Sequence, residues 1–403
     1  MAQHSLPEDL HLDTLAVRTA LDRSQYGENS EALYLTSGYV QPSAATSAAR
    51  FAMQEDGFTY SRVSNPTVTS MEMRLAALEG TEAAIATSSG MSAILLLGMA
   101  LLRAGDHVIC SQSVFGSVIP MFSREFAKFG VETSFVAQTD IEAWRAAVKP
   151  NTKLLFAETP TNPLTEVCDI QALADIAHNA GAFLAVDNCF ATPVLQRPVQ
   201  MGADFIIHSG TKFLDGQGRV MAGAICCTQK QRDELFLPVI RTAGMVLAPF
   251  NAWVLLKGME TLSLRVKAQS ETTLALAHWL EAQPQVARVY YPGLISHPQH
   301  VLAMRQQSGC GGAVLSFEVK ADSAEAARQR AFHVLDSMQV LSLCTNLGDT
   351  KTLAAHPAST SHGRLTEVQR QAAGIGQGLI RVAVGLDHLN DITADLSRGL
   401  NTL

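Results

Sequence analysis

Ile206-Ile207-His208-Ser209-Gly210-Thr211-Lys212-Phe213 is a short apolar run that ends on small hydroxyl residues and a lysine. Upstream, Phe183-Leu184-Ala185-Val186-Asp187-Asn188 is a second apolar run, closed by an aspartate. Buried strands of a parallel sheet read as continuous apolar runs of this length. The ligand crevice of such a sheet lies outside the carboxyl ends of its strands. Lys212 and Asp187 are both expected at such an end, on neighbouring strands. A lysine beside hydroxyls and a carboxylate across the strand end are the two groups that pyridoxal phosphate needs. The amine holds the aldehyde as a Schiff base, and the carboxylate keeps the ring nitrogen protonated so that the ring can take up electrons. Alone, either residue is an ordinary loop lysine or strand-end acid; their pairing carries the reading.

The same alternation extends outward. From Thr81 to Cys227, apolar runs at Ala84–Thr87, His107–Ser111, Thr133–Ala137, Leu154–Glu158, Phe183–Asp187, Phe205–His208 and Ala222–Cys227 are separated by helical patterns. One such helix, Ile170–Ala180, follows Asp169 as its N-cap. This pattern predicts an α/β fold with a mainly parallel sheet covered by helices. Residues 1–58 read as an arm with one early helix, and 59–255 as the large α/β domain. Residues 256–403 read as a smaller α+β domain. Its helices are expected at Ser270–Gln283 and Ser323–Met338, with a mostly antiparallel sheet from Val286–Tyr291, Ala313–Val319, Val340–Cys344 and Leu379–Gly385.

At 403 residues the chain exceeds one average core, and its 47% hydrophobic and 17% charged composition is that of a globular enzyme. The net charge of −7, with no Lys/Arg run, argues against a nucleic-acid partner. Seven scattered cysteines include no Cys-x-x-Cys spacing, so no metal is expected, and the odd count points to reduced thiols in the cytoplasm. The amino-terminal residues Met1–Asp9 are polar and acidic, unlike a targeting peptide. Ala83–Leu102 imitates a membrane span, but Thr87, Ser88, Ser89, Gly90 and Ser92 crowd its first half. Its apolar remainder is too short for a core of about 30 Å. A strand end, a turn and a buried helix are expected there, and no membrane partner.

Further groups suit the same cofactor. Ser88–Ile94 places Gly90 and Met91 at a strand-to-helix turn, where free backbone N–H groups favour a phosphate. Ser209 and Thr211 can add hydroxyls. Tyr60 and Arg62 lie in a segment without a core pattern, and an arginine fork suits phosphate. Phe115 follows the run His107–Ser111 and can stack on a ring. Glu158 and Asn162 end another run and can reach ring substituents. Arg381 interrupts the apolar run Leu379–Val384, and a buried arginine requires an anion, either a structural acid or a substrate carboxylate.

The segments Tyr60–Thr67 (YSRVSNPT), Ser88–Ile94 (SSGMSAI), Glu158–Pro163 (ETPTNP), Val186–Pro193 (VDNCFATP), His208–Lys212 (HSGTK), His356–His362 (HPASTSH) and Arg381–Asp387 (RVAVGLD) resemble the Cys/Met-metabolism family of pyridoxal-phosphate enzymes. The resemblance runs from the arm to the last helix. It implies an aminotransferase-like fold, PLP fold type I, and a homotetramer built as a dimer of dimers, in which Tyr60 and Arg62 reach the neighbouring subunit's phosphate. It also implies Lys212 as the Schiff-base lysine, Asp187 on the pyridine nitrogen, Asn162 near the ring hydroxyl and Arg381 on the substrate α-carboxylate.

Two departures narrow the activity. Phe115-Gly116 stands where many members have Tyr-Gly, so the ring can still be stacked upon but no phenol relays protons. Asn346-Leu347-Gly348-Asp349-Thr350-Lys351-Thr352 stands where cystathionine enzymes and methionine lyases read Ser-Leu-Gly-Gly-x-Glu-Ser. Lys351, facing the distal pocket beside Asn346, is expected to repel an amino-acid thiol's ammonium and to tolerate hydrosulfide or an acyl carboxylate. Within the family the chain is most similar to the O-succinylhomoserine sulfhydrylases. That implies a γ-replacement transferase using an O-acylhomoserine and sulfide, giving homocysteine and succinate for methionine biosynthesis. The alternatives are an O-acetylhomoserine sulfhydrylase, a cystathionine γ-synthase, a methionine or cystathionine γ-lyase, and an idle scaffold without cofactor.

Overall fold

The computed structural model describes residues 6–7, 9–21, 23–363, 366–367, 370 and 373–403. Residues 1–5 and 8 of the polar amino-terminus therefore lie outside the described residues. Helix α1, Leu12–Arg18, and α2, Ala44–Phe51, form in the arm, where one helix was expected. The second escapes the pattern because it buries no residue; the Ser43 side chain caps it by accepting from Thr46 N. Helix α3 runs Pro66–Glu79, started by an Asn65 cap with Pro66 in its first turn and ended by Gly80 at φ 78°.

Seven strands make the large sheet: β1 Ala83–Thr87, β2 His107–Ser111, β3 Glu132–Val136, β4 Thr152–Glu158, β5 Phe183–Asp187, β6 Phe205–Ser209 and β7 Gly223–Cys227. Their order is β1-β7-β6-β5-β4-β2-β3. β7 is antiparallel to both neighbours, and the remaining pairs are parallel. Leu184, Ala185, Val186, Ile206 and Ile207 are fully buried. Burying a Leu, Val or Ile side chain contributes about 1.5–3 kcal/mol, which fixes the register that lines up the polar residues at the strand ends. Helix α4, Gly90–Leu101, follows β1 and packs on β6 and β7. Helix α5, Ile170–Asn179, begins at the expected Asp169 cap, whose side chain accepts from Ala172 N at 3.1 Å.

Helix α6, Pro249–Glu260, runs through the expected division at 255/256 and buries Leu255 and Leu256 against α3. Helix α7, Leu262–Glu281, starts eight residues ahead of the expected Ser270. Its early part hides polar side chains and so breaks the apolar pattern. Gln269 is buried but donates to Asp349 O and Val384 O, at 2.7 and 3.1 Å.

The second sheet has the order β10-β11-β12-β9-β8, with β8 Val286–Tyr290, β9 Val314–Val319, β10 Ser342–Leu343, β11 Leu353–Ala355 and β12 Leu379–Ala383. Only the β10–β11 pair is parallel. Helices α8, Ala324–Asp336, and α9, Leu389–Leu400, pack together beside this sheet. The expected strand Val340–Cys344 shrinks to two residues, because the Asp395 carboxylate takes the amides of Gln339, Val340 and Leu341. β11 went unread, since three buried residues show no period. Among the described residues no helix is long and apolar enough to cross a membrane.

Candidate active site

The carboxyl ends of β4, β5 and β6 lie side by side and present Glu158, Asp187 and Ser209 to one cavity of about 650 Å³. Its wall also includes Gly90, Met91, Phe115, Asn162, Thr211, Lys212 and Asn346. Ten of the fourteen residues singled out in the sequence are thus gathered in one place. The volume suits a small-molecule site.

Two glycines let the backbones close up. A Cβ on Gly90 would lie 2.9 Å from Ser209 Cβ, and one on Gly223 would lie 2.1 Å from Ser89 O. The side chain of Ser89 caps α4 by accepting from Ser92 N. The first amides of the helix, at Gly90 and Met91, have no partner within it and point an anion site at the cavity. Thr211 is less free: its hydroxyl accepts from Ala222 N at 3.2 Å.

Two carboxylates crowd the cavity floor. Asp187 is 9% exposed and Glu158 4%. Burial pushes both carboxyls above their usual range, and the proximity of Asp187 pushes Glu158 further. Glu158 accepts from Phe115 N at 2.6 Å and Asn162 N at 3.2 Å, fixing the backbone on either side of the cavity. Asp187 accepts from Cys189 N at 3.0 Å. Burial holds the Cys189 thiol well above its usual range, so Cys189 stays a neutral group between Asp187 and Ser209, whose N–H donates to its sulfur at 2.8 Å. Such a pair of buried carboxyls calls for a cation.

Lys212 donates from Nζ to Asn346 Oδ1. Burial, with Arg381 nearby, holds its ammonium below the usual lysine range. Arg381, 1% exposed in β12, donates to Asn162 Oδ1 at 3.1 Å and to the carbonyls of Thr345 and Asn346 at 2.7 and 2.9 Å. Among the described residues no carboxylate partners it, and its buried Nε has no hydrogen-bond partner. Burial alone lowers its pKa to about 10. A guanidinium buried without an acid calls for an anion that the described residues do not supply. The donor set fits pyridoxal phosphate: free amides for the phosphate, a carboxylate for a ring cation, an amine for an aldehyde, and Phe115 for the ring face.

Three of the singled-out residues lie elsewhere. Tyr60, 44% exposed, and Arg62 flank a separate surface depression of about 390 Å³ with Leu35–Ser37 and Val246–Pro249. The Arg62 guanidinium sits 5.5 Å from the Tyr60 ring centroid. Lys351 corrects an expectation: it does not line the cavity. Its ammonium pairs with Asp349 at 2.8 Å, and its side chain is 62% exposed. The cause is local. The Asp349 carboxylate accepts the amide of Lys351 at 3.0 Å and holds the side chain on the outer face of the turn. Cavity residues absent from the sequence expectations include Cys189, Phe190, Thr345, Thr360 and Ser361. The segments VDNCFATP and HPASTSH carried four of these five, and only chain folding selects which of their side chains face inward.

The family of Cys/Met metabolism PLP-dependent enzymes matches residues 13–401. An O-succinylhomoserine sulfhydrylase of Pseudomonas aeruginosa is 56% identical over 98% of this chain and 96% of its own length. One from Mycobacterium tuberculosis is 44% identical over 98% and 97%. A solved structure of a candidate O-acetylhomoserine (thiol)-lyase from Campylobacter jejuni superposes with a TM-score of 0.92 at 32% identity, covering 97% of this chain and 100% of that one. It contains N'-pyridoxyl-lysine-5'-monophosphate. The chain has the aminotransferase-like α/β architecture of fold type I, takes pyridoxal phosphate as its cofactor, and belongs to the Cys/Met metabolism PLP-dependent enzymes.

Proposed function

We propose that this enzyme joins sulfide to O-succinylhomoserine by γ-replacement, releasing succinate and giving homocysteine for methionine biosynthesis. The full-length likeness to two O-succinylhomoserine sulfhydrylases carries this reading. The charges of the cavity suit such a substrate. Pyridoxal phosphate, when bound, supplies the electron sink that lets protons leave the carbons beside the substrate amine.

The residues then divide the work. Gly90 and Met91 amides, with Ser209 and Thr211, receive the phosphate. Phe115 stacks on the ring, Asn162 stands near its hydroxyl, and Asp187 faces its nitrogen. Lys212, lowered below the usual lysine range by burial, is the amine that bonds the cofactor's aldehyde carbon. With the cofactor and substrate bound, its amine would be the group placed to move protons between the substrate Cα and Cβ. Phe115 has no acidic proton, so it takes no part in that relay. Arg381, reached past Asn346 and Asn162, binds the substrate α-carboxylate.

Tyr60 and Arg62, remote from their own chain's cavity, act on the phosphate of a neighbouring subunit in a cytoplasmic homotetramer. Residues 1–58 then serve as an arm, 59–255 as the cofactor domain and 256–403 as the carboxyl-terminal domain. Steady-state rates with succinyl and acetyl esters, each with sulfide and with cysteine, test the substrate assignment. The succinyl ester with sulfide should have the highest kcat/KM; preference for the acetyl ester or for cysteine would overturn it.

A further inference from the structure

Behind the cavity floor lies a buried pair that the proposed reaction does not use. Glu79 is the last residue of α3 and is fully buried; His208 precedes Ser209 in β6 and is 1% exposed. His208 Nε2 meets Glu79 Oε1 at 2.5 Å, and Asn188 Nδ2 donates to the same oxygen at 2.9 Å. The other oxygen, Oε2, has no hydrogen-bond partner among the described residues. A carboxylate at the carboxyl end of a helix faces the negative end of the helix dipole, and burial adds to the cost. Glu79 therefore needs hydrogen-bond partners, and among the described residues His208 and Asn188 supply them.

That imidazole stands next to the cofactor site. β5 and β6 pair with Asp187 opposite Ile207, one residue before His208. Asn188, which follows Asp187, gives its N–H to Ile207 O at 3.0 Å and its side-chain amide to Glu79. Asn188 Oδ1 also accepts from Gln196 at 3.0 Å. Burial disfavours the ionised form of Asp187, whereas the nearby His208 and Lys212 favour it.

We infer that the Glu79–His208 pair is a positioning device for Asp187. Through Asn188 it fixes the backbone that carries Asp187, so the carboxylate stays aimed at the ring nitrogen. His208 and Glu79 touch neither cofactor nor substrate. They are positioning residues, and the inference rests on the proposed role of Asp187.

A double-mutant cycle tests it. Cofactor dissociation constants, measured by titrating apoprotein with pyridoxal phosphate, are compared with kcat and KM for the parent, His208→Gln, Asp187→Asn and the double variant. His208→Gln should weaken cofactor binding and lower kcat by about tenfold each, with KM little changed. In the Asp187→Asn background it should add less than about twofold. Additive losses, or a lowered unfolding midpoint with unchanged cofactor affinity, would make the pair a structural brace and overturn the inference. Glu79→Gln serves as the second variant with the same expectation; failure of both to fold would likewise mark the pair as a brace. An Asp187→Asn enzyme with the parent's kcat and cofactor affinity would instead sink the role of Asp187 itself.

Discussion

Two buried clusters of charge in this chain are built on opposite principles. In the first, Arg74 of α3 is fully buried and answered from every side. It pairs with Glu31 of the arm and approaches Glu260 at 3.7 Å; its Nε donates to Thr19 O at 3.1 Å and one Nη to Leu256 O at 3.3 Å. Lys257 pairs with both acids. Although burial works against it, these cations hold the Glu31 carboxyl below its usual range. In the second, Arg381 is as deeply buried without an acid among the described residues, while burial pushes Asp187 and Glu158 toward the protonated form and Asp187 pushes Glu158 further. The first cluster ties arm, α3 and α6 together. The second leaves its charges unbalanced, and a site that binds a charged cofactor and substrate is the kind of place where such imbalance is tolerated.

The contrast breaks first at Lys212. Lys212→Ala should stay folded yet lose activity by on the order of 10³-fold or more. Borohydride reduction and peptide mapping of the parent should label Lys212 alone. Mixed with an Arg62→Ala chain, the Lys212→Ala chain should regain part of the activity if the phosphate site is shared between subunits. Labelling of another lysine would remove the assignment.

The two arginines give the sharpest comparison. Arg74→Met takes a buried partner from Glu31, leaving Lys257 alone to answer it, and should cost about 3 kcal/mol of stability, read from denaturant unfolding. Arg381→Met strands no acid, so unfolding should be unchanged or slightly harder. Its kcat/KM should fall roughly 100-fold, the loss of about 3 kcal/mol expected for a charge-assisted contact. Equal stability losses at both positions would erase the distinction.

A smaller effect concerns pH. A carboxyl whose folded pKa lies above its unfolded value favours the folded state while protonated, and that contribution is lost as pH rises through the folded pKa. Asp187→Asn removes one such group and relieves Glu158. The variant apoprotein should therefore melt at or above the parent apoprotein at about pH 8, with the advantage shrinking toward about pH 5. A constant difference across this range would show that the two carboxyls do not interact. Least of all is expected from Lys351→Glu: an exposed ion pair contributes about 0–1 kcal/mol. The sulfide-to-cysteine preference should stay within about twofold, as measured by kcat/KM for each donor.

Strand-end chemistry was legible without coordinates. Apolar runs of strand length end on Asp187 and just before Lys212, and the structure sets both around one cavity. Two kinds of feature were not legible. Lys351 sits in a motif facing the cavity in part, yet one hydrogen bond to Asp349 turns its side chain outward. Glu79 and His208 lie 129 residues apart, and nothing local marks either as the other's partner.

By itself, then, the order of residues determined the alternation of strands and helices, the caps at Asn65, Ser89 and Asp169, and which polar residues terminate buried strands. Those properties depend on neighbours a few positions away, where period and hydrogen-bonding capacity are written directly in the chain. Tertiary structure alone decided which buried charges are matched and which are left open, because pairing depends on distances between segments far apart in the chain. Arg74 met Glu31, whereas Arg381, the arginine that interrupts an apolar run, met no acid among the described residues.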